Sequence, residues 1–329
     1  MATGRVIGVD LGGAKLLAGA VDPALCVHHR AARPAPAADE GALLDAVVSA
    51  VGEVRDAIEG TSGRVDAVGV AIPGLIDTEG GSVVVSSLLP RAGVAFGDLL
   101  AERIGLPVFA DNDGNAAMLV EWRFGAARGA RDAVLLTVGA GVGGGLVAGA
   151  ALQRGSHGAG AELGHMVVQA DGPPCNGACP NRGCLESLCS ATALARDARR
   201  LARERPGSGL GRALAAGREI SGPLVTELAH DGDEAAITAL AQIGRWLGLG
   251  VANLVNILDP EVVIIGGDVV AAGELLLAPV RAVVAERALW PSREHVRIVP
   301  ARFGAESGML GAAVLALDGM DSPGRPDVL

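Results

Sequence analysis

The chain has 329 residues, enough for about two domains and a sizeable core. Half the residues are hydrophobic but only 2% are aromatic, with no Tyr, so the core is built from Val, Leu, Ile and Ala, and aromatic platforms for stacking nucleic acid bases are excluded. Lys plus Arg number 27 against 37 Asp plus Glu, a net charge of −10 that suits no phosphate backbone and predicts no nucleic acid partner.

Short apolar runs predict strands over 6–10 and 16–21, joined by a turn at Gly12-Gly13. Residues 40–59 carry Leu43, Leu44, Val47, Val48 and Val51 at helical spacing, and 65–72 reads as a buried strand ended by Pro73-Gly74. A helix over 98–104, a strand over 107–110 and a helix over 114–124 follow. A strand over 134–138, a glycine-rich turn at 139–145 and a strand over 146–150 then repeat the layout of residues 6–21. The uncharged stretch 133–152 is long enough to span a bilayer, but its six glycines break a helix, so it reads as two buried strands and a turn, with no membrane partner. Beyond it lie a cysteine-rich loop over 171–186, a helical stretch over 186–205 and a long apolar helix over 234–258 stopped by Asp259-Pro260. A strand over 262–265 runs into Gly266-Gly267, and a loose tail is expected from 319. The alternation predicts an α/β architecture, and the internal echo predicts two related domains, each presenting a glycine turn toward a shared cleft.

Five cysteines, Cys26, Cys175, Cys179, Cys184 and Cys189, make an odd count in a chain that opens directly on a strand, without an export signal. That predicts a cytoplasmic protein whose thiols are free or bind metal.

Several segments carry chemistry. Asp10 ends a buried strand and Gly12, Gly13 and Lys15 follow, so backbone N–H groups can approach a phosphate while the carboxylate holds Mg²⁺. An ordinary hairpin turn has the same composition. The glycines at 139–145 form a second candidate phosphate cradle, and Gly266-Gly267, at the end of a third apolar strand, is placed to cover a nucleotide. Asp111-Asn112-Asp113 sits between a strand and a helix, where Asn and Asp serve as caps, and where two close carboxylates repel and raise one pKa toward that of a usable base. His165, Cys175, Cys179 and Cys184 supply one imidazole and three thiolates, a donor set for tetrahedral Zn²⁺. Such a metal would draw Glu162 and Glu186 into one neighbourhood.

Taken together, these segments resemble the ROK family of sugar kinases and repressors, over about residues 5–317. Asp10-Leu11-Gly12-Gly13-Ala14-Lys15 is similar to the family's first phosphate motif, and Asn112-Asp113-Gly114-Asn115-Ala116-Ala117 to its catalytic signature. Gly160-Ala161-Glu162-Leu163-Gly164-His165 resembles its sugar-binding stretch, Cys179-Pro180-Asn181-Arg182-Gly183-Cys184-Leu185-Glu186 the end of its zinc and sugar motif, and residues 262–268 its adenosine segment. The resemblance implies a two-domain actin-like ATPase (ribonuclease H-like) fold with a cleft between the domains. A smaller domain over 1–112 would be completed by a C-terminal helix at about 306–318, and a larger one would span 113–305 with a zinc loop at 165–186.

The resemblance also implies an ATP-dependent hexose kinase, glucose first, with N-acetylglucosamine, N-acetylmannosamine, mannose or fructose as alternative substrates. Asp113 would be the general base. Asn112, Glu162, His165 and Glu186 would hold the sugar, and His165, Cys175, Cys179 and Cys184 a structural zinc. Asp10, Gly12, Gly13, Lys15, Gly139, Gly141, Gly143, Gly266 and Gly267 would serve ATP and Mg²⁺. A homodimer or homotetramer is implied. With the first strand at about residue 5, the kinase reading is expected over that of a repressor with an N-terminal DNA-binding module. The chain departs from the family at Ala14 and Ala140, where a Thr is usual, at Asp268, which replaces a common third Gly, and at Cys175, which lies four residues before Cys179 rather than two. These departures leave open polyphosphate as donor and a sugar-binding role with weak or no kinase activity.

Overall fold

The first strand, β1 (Arg5–Leu11), is buried along most of its length and has a strand on either side. It pairs antiparallel with β2 (Lys15–Val21), which pairs with β3 (Val27–Pro34). Helix α1 (Glu40–Glu59) has the predicted bounds: Asp39 caps it, accepting from the Ala42 N–H, and its Leu43, Leu44, Val47, Val51 and Val54 are buried. Strand β4 (Val65–Ile72) lies parallel to β1, and its near-continuous apolar sequence fits a position covered on both faces. After β5 (Leu75–Asp77), β6 (Ser82–Val85) and α2 (Phe96–Ile104), strand β7 (Val108–Asn112) joins β4 in parallel and leads straight into α3 (Asp113–Phe124). The sheet order is β3-β2-β1-β4-β7.

The second sheet has the same plan. Strand β8 (Ala133–Val138) pairs antiparallel with β9 (Val142–Ala148), and β10 (Ala151–Leu152) follows. The predicted turn at 139–145 is thus only 139–141. Gly143, Gly144 and Gly145 lie in the β9 ladder opposite Thr137, Leu136 and Leu135, so the second strand starts at Val142. The helix expected over 186–205 is two helices, α4 (Leu185–Cys189) and α5 (Ala191–Glu204). They break at Ser190, whose extended ψ of 168° ends one, and whose hydroxyl caps the other at Ala193. Helices α6 (Gly209–Ala215) and α7 (Gly222–His230) precede α8 (Glu234–Leu258). By length and composition α8 could cross a membrane; here Ile243, Leu247, Val251 and Val255 bury its apolar face in a protein core. Strand β11 (Val262–Gly266) runs parallel to β8, and after α9 (Glu274–Arg287) and α10 (Ser292–His295), β12 (Arg297–Pro300) runs parallel to β11.

The final helix, α11 (Ser307–Asp321), covers residues 319–321, where a loose tail was expected, because Gly319 packs closely on the Phe109 ring. It lies so close to the first sheet that a Cβ on Gly8 or Gly69 would collide with the carbonyl of Met309 or Ala312.

The computed structural model describes residues 4–12, 15–36, 39–61, 63–77, 82–86, 88–89, 92–177 and 179–321; residues 322–329 of the predicted tail lie outside them. The chain forms two compact units: Met1–Gly125 with Ala151–Ala161 and Ala305–Leu329, and Ala126–Ala150 with Glu162–Gly304. The boundary expected after residue 112 falls instead after Gly125, because α3 packs against α11, with Gly311 seated on the Ala116 carbonyl.

Candidate active site

In the first unit the parallel strands β1, β4 and β7 end level. Asp10 is opposite Ala71, Ala71 is opposite Asp111, and Ile72 is opposite Asn112. Strand C-termini in an α/β sheet are where reactive groups collect. Asn112 is the N-cap of α3: its Oδ1 accepts from the N–H groups of Gly114 (2.8 Å) and Asn115 (3.1 Å), and its Nδ2 donates to the Gly74 carbonyl (2.9 Å). Asp113 is the first helical residue, with Oδ1 accepting from the Gly114 N–H at 2.9 Å. Burial raises its pKa, while the N–H bonds from Gly114 and its own backbone and the Asn112 side chain pull the other way.

The repulsion expected between Asp111 and Asp113 is not what raises the Asp113 pKa. Asp111 is 1% exposed and its Oδ2 accepts from Arg154 Nε at 2.7 Å, so its charge is paired. The carboxylate coupled to Asp113 is Asp10, whose pKa is pushed up to about 7 by burial first and by Asp113 second. Asp10 sits against the start of α11, where Gly308 leaves room for it. A folded-state pKa raised from 3.8 to about 7 means that Asp10 holds a proton the unfolded chain has already lost. Its contribution to stability is therefore full below the unfolded value and is lost as pH rises through about 7. In metal-free protein, Asp10→Asn should flatten the fall in stability between about pH 5 and about pH 8. Urea unfolding at the two pH values checks this, and an equal fall in variant and wild type would refute it. Of the other residues predicted for this phosphate turn, Gly12 precedes β2, Lys15 begins β2 with its side chain exposed, and Gly13 lies outside the described residues.

The second unit holds the rest. In the turn between β8 and β9 the Gly139 N–H donates to the Gly141 carbonyl at 2.9 Å, and the Gly139 and Ala140 carbonyls accept from the Ala191 N–H (2.7 Å) and Thr192 Oγ1 (2.9 Å) at the start of α5. Glu186 Oε2 accepts from the Val142 N–H at 2.9 Å, in the space a Gly141 side chain would need. A side chain on Gly139 would meet nothing within 4 Å, so no protein atom demands glycine there, whereas Gly143 is held by Thr137 opposite. Gly267 has φ +82°, and a Cβ would strike the Val138 backbone. Gly266-Gly267 therefore lies directly beside the end of β8, where the turn begins.

His165, Cys175, Cys179 and Cys184 converge: their donor atoms all lie within 4.8 Å of one another. Cys179 and Cys184 sulfurs are 3.9 Å apart, and Cys175 Sγ is 3.5 Å from His165 Nδ1. Zn–S bonds of about 2.3 Å in a tetrahedron put sulfurs about 3.8 Å apart, so this donor set fits zinc. Cys175 is within the cluster despite its longer spacing. Without metal, burial and the neighbouring thiols raise the Cys175 pKa; a divalent cation reverses that preference. With Nδ1 toward the sulfurs, His165 presents Nε2 toward Glu162 Oε2 at 3.9 Å. All five cysteines are free thiols, and the buried Cys189 is separate from the cluster.

The sequence reading missed Arg154. An isolated arginine between Gln153 and Gly155 carries no signal pointing 43 residues back to Asp111.

The chain matches the ROK family model over residues 6–319. It is 33% identical over 319 residues to the glucokinase of Streptomyces coelicolor, covering 95% of this chain and 98% of that one. Among solved structures it resembles a ROK family glucokinase from Streptomyces griseus in complex with glucose and AMPPNP, at TM-score 0.85 and 35% identity over 96% of this chain and all of that one. It also resembles a ROK family transcriptional regulator, described as a homologue of the E. coli MLC protein, at TM-score 0.86 and 27% identity over 95% of this chain and 78% of that one.

Proposed function

The chain belongs to the ROK family, and on that premise we propose that it is an ATP-dependent hexose kinase acting on the 6-OH of glucose. The observation that carries this reading is Asp113: a half-buried carboxylate at the first turn of α3, its pKa raised by loss of solvent, its direction fixed by the Gly114 N–H and the Asn112 cap. Asp113 takes the proton of the attacking hydroxyl. A base with a pKa nearer the working pH than an ordinary carboxylate suits that step.

Glu162 and the Nε2 of His165 hold other sugar hydroxyls, with Asn112 and Glu186 contributing the valences their protein bonds leave free. His165, Cys175, Cys179 and Cys184 hold zinc, which supplies a fixed imidazole tautomer and direction rather than an open coordination site. The turn at Gly139–Gly141 and the Gly266-Gly267 segment receive the nucleotide, and Asp10 would hold the Mg²⁺ that neutralises the donor phosphates. Positioning and charge stabilisation dominate phosphoryl transfer, so these fixed groups suffice.

ADP release with Mg-ATP across glucose, mannose, fructose and the N-acetylhexosamines tests the proposal. Turnover with glucose well above the others is expected. Turnover confined to another hexose would move the specificity, and none from folded, zinc-loaded protein would overturn the ATP-dependent reading. One observation favours a second reading, a sugar-binding protein with weak activity: Ala140 brings no hydroxyl to the second phosphate turn, and its carbonyl is already taken by Thr192. Sugar binding without transfer from either ATP or polyphosphate would select it.

A further inference from the structure

We propose that Arg154 is a positioning residue for phosphoryl transfer: through Asp111 it fixes the strand end and helix start that carry Asn112 and Asp113. The kinetic half of this inference rests on the kinase reading above; the geometric half stands on contacts within the first unit alone.

Asp111 is a hub. Its Oδ1 accepts from the Asn112 N–H at 2.7 Å and from Asn115 Nδ2 at 3.0 Å, and its Oδ2 accepts from Arg154 Nε at 2.7 Å. The two bonds to Oδ1 bracket Asp113, one on the residue before it and one on the first turn after it. The backbone from 112 to 115 therefore hangs on one carboxylate, and Arg154 on the second oxygen stops that carboxylate from turning. Both partners are withdrawn from water, Asp111 to 1% and the Arg154 side chain to 13% exposure, so each depends on the other for charge compensation.

Arg154 is itself held. The Gly160 N–H donates to its carbonyl at 2.8 Å, and Gly158 sits against the Ile76 carbonyl on β5. Two residues before Ile76, the Gly74 carbonyl accepts from Asn112 Nδ2 at 2.9 Å. Contacts and short runs of chain thus close a ring from Arg154 through Asp111, Asn112, Gly74, Ile76, Gly158 and Gly160 back to Arg154. Asp113 is the residue this ring surrounds in sequence, and Arg154 acts on it only through Asp111.

The test compares wild type, Arg154→Met and Arg154→Lys in the full-length, zinc-loaded protein. Three readouts are taken: kcat and KM, hydrogen–deuterium exchange of the peptide covering about residues 110–118, and melting temperature. Arg154→Met should lower kcat about 10- to 100-fold, as a small displacement of a reacting group does, with the sugar KM changed less than about threefold. Exchange should quicken in that peptide and not across the sheet. Arg154→Lys keeps the charge but loses the directional Nε bond, so it should recover the melting temperature and only part of kcat. If Arg154→Met does not fold, Asp111→Asn combined with Arg154→Met leaves no lone buried charge and takes its place, with the same expected losses. A normal kcat, or unchanged exchange at 110–118, overturns the proposal. If the wild type phosphorylates no sugar, the kinase reading fails, and exchange alone decides: a local increase supports the positioning role, and none overturns it.

Discussion

Asp113→Asn is expected to lower sugar phosphorylation by about 10²–10⁴-fold, the range set by loss of a general base, while sugar binding stays measurable. The substitution is nearly isosteric, and the Asn112 cap on the Gly114 and Asn115 N–H groups survives it. Helix α3 should keep its start and the variant its melting temperature. The loss is then one of proton acceptance and not of folding. Initial-rate kinetics with calorimetric sugar binding measure both halves. A variant that turns over near normally would remove Asp113 from the role of base and leave Asp10 as the nearby carboxylate to examine. The variant should also lower the Asp10 pKa, because the Asp113 charge is the second cause of its rise.

Loss of metal from the His165, Cys175, Cys179 and Cys184 cluster should be the second large effect. Much of the loop is held by its own backbone: Cys175 N–H to the Asn181 carbonyl at 2.9 Å, Gly183 N–H to Pro173 at 2.8 Å, Leu185 N–H to Met166 at 2.9 Å. Cys184→Ser should therefore leave the two hydrophobic cores intact. It should release the imidazole of His165, which the metal would otherwise orient. Sugar affinity should fall about 10- to 100-fold, the usual consequence of losing the support of an oriented ligand. The melting temperature should drop by several degrees, since structural zinc contributes folding free energy directly. Chelation of the wild type should reproduce both changes. Full sugar affinity in protein shown by elemental analysis to hold no zinc would disprove the link between the cluster and the sugar site.

Much of the fold was legible because burial leaves a periodic trace. Helices Glu40–Glu59 and Glu234–Leu258 and strand Val65–Ile72 have the bounds their apolar spacing predicts. Strand β3 was missed because both of its faces mix polar and small residues, Val27, His29, Ala31 and Arg33 on the less exposed one and His28, Arg30, Ala32 and Pro34 on the other, so no apolar alternation stands out. The break at Ser190 was missed because the apolar pattern runs through it, while the hydroxyl that caps α5 leaves no periodic signature.

At the site, ligand chemistry was readable where it is local: three cysteines within ten residues announce a metal. Partnerships across the fold were not. Asp111 and Asp113 are two residues apart and were expected to repel; sequence distance said nothing of Arg154, which pairs the first, or of Asp10, which couples to the second. The glycines were also over-read, since Gly143 lies in a strand ladder against Thr137 and not in the turn.

The helix Ser307–Asp321 has a consequence for how the chain is made. The ribosome delivers it after the second unit, yet it belongs to the unit that contains residue 4, where Gly8 and Gly69 are shaped to receive it. Every residue of the second unit, up to Gly304, has emerged before that helix exists. Domains usually fold in order of synthesis. Here the unit entered before the other is completed after it, and its sheet lacks its last helix until the second unit has been made.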